Sequence, residues 1–188
     1  MTTYKDSPAP SSSKNVELIY GLINGGLAVV FTVVLYLGGA KMFVSPIAYC
    51  GVVLPIVVCI IGGLQIRKQQ GGAIEFSQAL KATFLILVVG SLIATIFQFI
   101  LFNYIDVPFR QALAQETAQK AEAMMRRFGA SDSDIEKAVD KTLDQNNYTI
   151  GKLLLGFVFG CIFWFIVALI VSAIIKKKPS PFENSFNQ

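Results

Sequence analysis

Histidine is absent from this chain of 188 residues, which removes the usual general base of neutral pH and the commonest metal ligand. There is no Gly-x-Ser-x-Gly elbow, no phosphate-binding loop and no cluster with metal-ligand spacing. The sequence therefore offers no catalytic residue, no cofactor-binding residue and no metal site, and no cofactor is expected. Cysteine is scarce too. Cys50, Cys59 and Cys161 lie within apolar stretches without CxxC spacing, and read as small buried apolar residues rather than a disulfide framework. Charge is the third shortage: 15% of residues are charged, against about a quarter in an ordinary soluble domain. None of those charges falls in the central part of an apolar run, which counts against a proton-coupled pump, since such pumps carry ionisable groups at depth. No soluble segment presents a basic face with interleaved aromatics, so nucleic acid is excluded as a partner.

What the chain has is hydrophobicity, at 54% of residues and a mean hydropathy of +0.59. It is gathered into four runs at about 18–38, 44–66, 82–102 and 153–175. At about 1.5 Å rise per residue, some 20 residues cross a hydrocarbon core about 30 Å thick. The fold class expected is all-α: a polytopic membrane protein with four transmembrane helices occupying 17–178, in contact with the lipid bilayer. Residues 1–16, with Pro8, Pro10 and a serine run, and residues 179–188 read as disordered tails. A signal peptide is the rival reading of the first run, because Gly38-Gly39-Ala40 is a small-residue triplet. Its apolar core is longer than the roughly 7–15 residues of a signal peptide, so a retained helix is expected. In the second run Ser45 and Pro46 suit an N-cap and first helical position. Pro55 sits mid-run, takes away the hydrogen bond to the carbonyl of Gly51, and should kink the helix there.

The polar link 67–81 joins the second and third runs. The soluble piece between the third and fourth, 103–150, opens on the turn signal Asp106-Val107-Pro108. A helical hairpin is expected over 107–146, broken at Gly129-Ala130, with Ser133 and Glu136 as a capping box for its second helix. Leu113, Met124, Phe128, Ile135, Val139 and Leu143 should face one another or the membrane. Asn147-Tyr148-Thr149 matches a glycosylation acceptor pattern that is common by chance.

With four spans the termini share a side. Lysine and arginine divide evenly, eight to a side, so position decides. Arg67-Lys68 and Lys176 to Lys178 abut helix ends, where the positive-inside rule weighs them most. That places both termini in the cytoplasm and the 103–150 loop outside. Within the runs, Gly21-x-x-x-Gly25 and Gly156-x-x-x-Gly160 allow close helix approach, and pairing of the first helix with the fourth is expected through them. Asn24 and Gln98 are the largest polar side chains at depth and read as interhelical contacts. Glu75 is a weak candidate at the membrane interface, where a salt bridge to Arg67 or Lys81 is its simplest use.

The four spans, the link Arg67-Lys68-Gln69-Gln70-Gly71-Gly72-Ala73-Ile74-Glu75-Phe76-Ser77-Gln78-Ala79, the end of the third span at Asp106-Val107-Pro108, the helical insert and the lysine-rich end together resemble domain-of-unknown-function family 4199. The resemblance covers about 15–178 and implies a bacterial inner-membrane location, with a periplasmic loop, and no known site. Three functions remain open. The leading one is a non-enzymatic subunit or scaffold that binds another membrane protein. The second is a small transporter or channel formed by a homo-oligomer, with Asn24, Gln98, Gly51 and Pro55 around a cavity at mid-depth. The third, which the resemblance adds through an association with membrane glycosyltransferases, is an accessory or enzyme of lipid-linked glycan metabolism using Glu75.

Overall fold

The computed structural model describes residues 11–177. Seven α-helices account for most of them: α1 (Ser11–Leu37), the short α2 (Ala40–Phe43), α3 (Cys50–Gln69), α4 (Phe76–Ile100), α5 (Val107–Arg127), α6 (Asp132–Leu143) and α7 (Ile150–Ile175). Four stretches are long and apolar enough to cross a membrane: Asn15–Leu37, Pro46–Gln69, Phe76–Ile105 and Ile150–Ile175. The chain is thus an all-α, multi-pass membrane protein with a helical hairpin between its third and fourth spans.

Several boundaries differ from the sequence reading for identifiable reasons. Helix α1 begins at Ser11, so 11–16 are helical rather than tail; 1–10 and 178–188 fall outside the described residues. At the second span, Ser45 does precede a helical turn, but that turn is the 3-10 helix Pro46–Tyr49, and the Ser45 hydroxyl donates back to the Met42 carbonyl instead of capping forward. Helix α3 then runs unbroken through Pro55, and Gly51 is only its second residue. The link is shorter than 67–81. Helix α3 extends to Gln69 and α4 starts at Phe76, so only 70–75 turn the chain. Gly71 and Gly72 have φ of 80° and 88°. Gly72 N–H donates to the Arg67 carbonyl and Gly71 N–H to that of Lys68, which closes the end of α3 with the paired bonds of a Schellman motif. The third span is longer than 82–102, because α4 passes directly into a π-helical turn, Leu101–Ile105.

One end of the bundle gathers the start of α1, the end of α3, the start of α4 and the end of α7. Ile66, Ile74, Ala79 and Ile175 are buried there, with Val16 and Tyr20 of α1 packed on them. Ile74 and Lys177 pair their backbones in an antiparallel bridge, through bonds of 3.0 and 3.1 Å. Helix α4 is the central element, packed on α1, α3 and α7.

The pairing of the first helix with the fourth is not what forms. Gly21 and Gly25 lie against Val89 and Ile93 of α4: a Cβ added at Gly25 would stand 2.5 Å from the Ile93 side chain. Gly156 and Gly160 of α7 have nothing within 4 Å of an added Cβ. Val89 and Ile93 are branched side chains one turn apart, and they fill the notch that Gly21 and Gly25 leave.

Candidate functional site

Three places in the bundle hold polar groups at depth. The first is the seam around α4. Asn24 is 3% exposed, its amide nitrogen 3.5 Å from the Ile86 carbonyl. Gly90 makes room for it: a Cβ there would meet the Asn24 amide at 2.5 Å. Lower in the same seam the hydroxyls of Thr83 and Ser172 lie 2.8 Å apart, fully buried, joining α4 to α7. Thr83 was missed in the sequence because it stands at the margin of the third apolar run. Its signal is its spacing from Ala79, whose carbonyl also takes the Thr83 hydroxyl at 2.8 Å.

The second place is a groove of about 260 Å³ between α4 and α7. Ser91, Thr95 and Gln98 line it from α4, and Leu153, Gly156, Phe157, Gly160 and Trp164 from α7. The two hydroxyls are satisfied within their own helix, Ser91 on the Val88 carbonyl and Thr95 on that of Ser91. The Gln98 amide has no hydrogen-bond partner among the described residues. Helix α7 is the least covered span: 11% of its most apolar 18 residues are buried, against 28% for each of the first two spans.

The third place is the junction with the hairpin. Asp106 caps α5, its Oδ1 accepting from the Phe109 N–H at 2.8 Å. Its Oδ2 accepts from the Tyr36 hydroxyl at 2.9 Å, tying the end of α1 to the start of α5. Around this bond the rings of Tyr36, Phe43, Phe102 and Phe109 pack with centroids 4.8–6.3 Å apart. Asn103, on the π-helical turn, donates to the Tyr148 carbonyl and accepts from Arg110. The Arg110 guanidinium lies 5.5 Å above the Tyr148 ring. Burial pushes the Tyr148 hydroxyl above its ordinary pKa of 10.0, against a smaller opposing pull from Arg110. The sequence marked Asp106 as a turn, which hid its double role. Asn147, of the acceptor pattern, is turned to the chain, its amide donating to the Lys141 carbonyl at 2.7 Å.

In the hairpin Ala114, Ala118 and Ile135 are buried, whereas Met124 and Phe128 of the expected stripe are exposed, Phe128 by 82%. Helix α6 is capped by Ser131 through the Asp134 N–H, not by Ser133 with Glu136. At the far end of the bundle Glu75 stands exposed at the N-cap position of α4, with no side-chain capping bond. Its expected ion pair does not form: Arg67 donates instead to the Ile175 carbonyl at 3.1 Å. Lys176 lies over the Phe76 ring. Asn24, Gln98, Gly51 and Pro55 do not converge on one cavity. Asn24 is sealed against α4, Gln98 lines the groove with α7, and an added Cβ at Gly51 would meet Phe31 of α1. Among the described residues no group of three or more cysteines, aspartates or glutamates could hold a metal ion.

Residues 19–177 match the family described as "Protein of unknown function (DUF4199)", and the chain belongs to that family. No curated protein and no solved structure matches the chain.

Proposed function

Taking that membership as the premise, we propose that this protein is a non-enzymatic subunit of the bacterial inner membrane, which binds another membrane protein along α7. The observation that carries the reading is the groove between α4 and α7. An amide facing the bilayer without a partner is costly, because lipid tails offer no hydrogen bond. Gln98 is such an amide, and beside it Gly156 and Gly160 leave the backbone of α7 open to close approach. A partner helix that places a small face on the glycines and a donor or acceptor on Gln98 relieves both.

In this reading both termini are cytoplasmic and the hairpin is periplasmic. Arg67, Lys68, Lys176 and Lys177 meet at the end of the bundle away from the hairpin, at the ends of α3 and α7, where basic residues favour the cytoplasmic side. The groove lies in the half of the bundle nearest the hairpin, so a partner with a periplasmic part would meet both.

The channel reading has less behind it, since its four residues line different places. The glycan-enzyme reading rested on Glu75, which is exposed and has no ion pair among the described residues. The test is purification from native membranes in mild detergent, with mass spectrometry of the proteins that accompany the chain. A membrane protein recovered at near-equal stoichiometry with the wild type, and lost from Gly156→Val/Gly160→Val, is the expected result. A monodisperse monomer from native membranes contradicts it.

A further inference from the structure

The end of the bundle away from the hairpin carries a feature that the partner reading does not use. Four cations from two helix ends gather at one junction. Lys177 is held by its backbone bridge to Ile74. Next to it, the Lys176 ammonium stands 5.8 Å over the ring of Phe76, the first residue of α4. Arg67 anchors one nitrogen on the Ile175 carbonyl at 3.1 Å, and Lys68 follows it, exposed, in the last turn of α3. The link that turns between these elements is fixed by its two glycine closing bonds, so the junction is built before anything binds.

None of the four cations has a carboxylate within ion-pair distance among the described residues. The ion pairs of the described chain belong to the opposite end: Arg126 with Glu122 and Asp132, and Lys152 with Asp144. Glu75 shares the junction, exposed and unpaired, and Glu17 lies at the start of α1 at the same end, so the four cations outnumber the carboxylates there. Directly beneath lie Ile66, Ile74 and Ile175, between 0% and 3% exposed. The cations therefore stand where the apolar packing stops.

A charge cluster at that height faces the headgroup plane of a bilayer. The matching ligand is a phosphodiester anion: a guanidinium offers it paired donors and an ammonium a point charge. We infer that Arg67, Lys68, Lys176 and Lys177 form a site for the phosphate headgroup of anionic phospholipids. A soluble phosphate shares the chemistry, but the site opens beside the apolar ends of α3 and α7, where lipid chains lie alongside. The inference goes beyond the partner reading and holds whichever leaflet meets this end.

The test uses the full chain in neutral detergent, titrated with dioleoyl-phosphatidylglycerol or dioleoyl-phosphatidylcholine and read by native mass spectrometry. The wild type should hold phosphatidylglycerol in preference to phosphatidylcholine. Lys68→Gln/Lys176→Gln/Lys177→Gln removes three exposed charges, keeps the Arg67 anchor, and should weaken phosphatidylglycerol alone by about fivefold per charge. Arg127→Gln/Lys137→Gln/Lys141→Gln on the hairpin should leave the preference unchanged. An unchanged preference in the junction variant, or an equal loss in the hairpin variant, overturns the inference. Displacement of the lipid by equimolar inorganic phosphate overturns it as well, because the site would then be one for free anions. If the junction variant does not fold, the wild type decides by its salt dependence. Phosphatidylglycerol binding measured with a labelled lipid should fall steeply as salt rises from about 0.1 M to about 1 M, and insensitivity to salt rejects the site.

Discussion

At the scale of single residues the bundle distinguishes two kinds of glycine that look alike in sequence. Gly25 lies under Ile93, with an added Cβ only 2.5 Å away, so Gly25→Val should overpack the seam by about 1–3 kcal/mol. Gly156→Val meets open space and should leave stability nearly unchanged. Thermal unfolding of the two variants in detergent checks the contrast; equal losses would mean that the two helices do not sit as described. The Gly-x-x-x-Gly spacing announces both sites, but it does not say which neighbour is bulky. That depends on Val89 and Ile93 of another helix, 68 residues along the chain from Gly21 and Gly25. Thr83 and Ser172 form a pair of the same kind. Polar contacts between membrane helices average about 0.6 kcal/mol, so Thr83→Val should cost little more than that. Thr83→Val/Ser172→Ala should cost less than the sum of the two single changes, as a double-mutant cycle in detergent would measure.

At the scale of elements, four spans and a hairpin are legible because long apolar runs and turn residues are local signals. The ends of those elements are less so. The third span extends beyond the apolar run at both ends, to Phe76 and Ile105, because polar residues near a helix end need not stop it. In the hairpin, an apolar stripe was visible but not its inward edge. Ala114, Ala118 and Ile135 are the buried side chains of α5 and α6, while Met124 and Phe128 lie exposed. Helix α6 packs on α5, whereas α5 is also tied to the bundle by Asp106 and the aromatic cluster. Hydrogen exchange in nanodiscs should therefore be faster throughout α6 than in the first half of α5. Asp106→Ala should remove both the cap and the bond to Tyr36, costing about 1–2 kcal/mol and raising exchange in that first half. Equal protection of α5 in the variant would contradict the anchoring role. Tyr148 adds a pH dependence. Its folded pKa lies above the ordinary value of 10.0, so its contribution is intact below about pH 10 and fades as the pH rises through the folded value. Unfolding measured from pH 8 to 11 should show an alkaline loss that Tyr148→Phe reduces, and the difference absorbance of the two proteins should place Tyr148 above tyrosine in the unfolded chain.

At the scale of the whole molecule, α7 is the least covered span. It packs chiefly on α4 and less on α3. Its outward face is rich in large apolar side chains, Phe159, Ile162, Phe163 and Ile166 among them, all about half exposed. Lipid can cover those side chains as well as protein can. It cannot pair the Gln98 amide, and in the proposed function that amide, with the open glycines, is what a partner helix would meet. The sequence showed Gln98, Gly156 and Gly160 as separate features; their meeting in one groove depends on how α7 lies against α4. The direct measurement is a photo-crosslinking scan in intact native membranes, with a photoreactive residue placed in turn at Phe157, Gly160 and Trp164 around the groove, and at Leu22 and Val30 on the exposed face of α1. One discrete protein adduct is expected from the groove positions, none from α1, and that adduct should be lost on Gln98→Leu. Lipid adducts alone from the groove, or the same protein adducts from both faces, would contradict it.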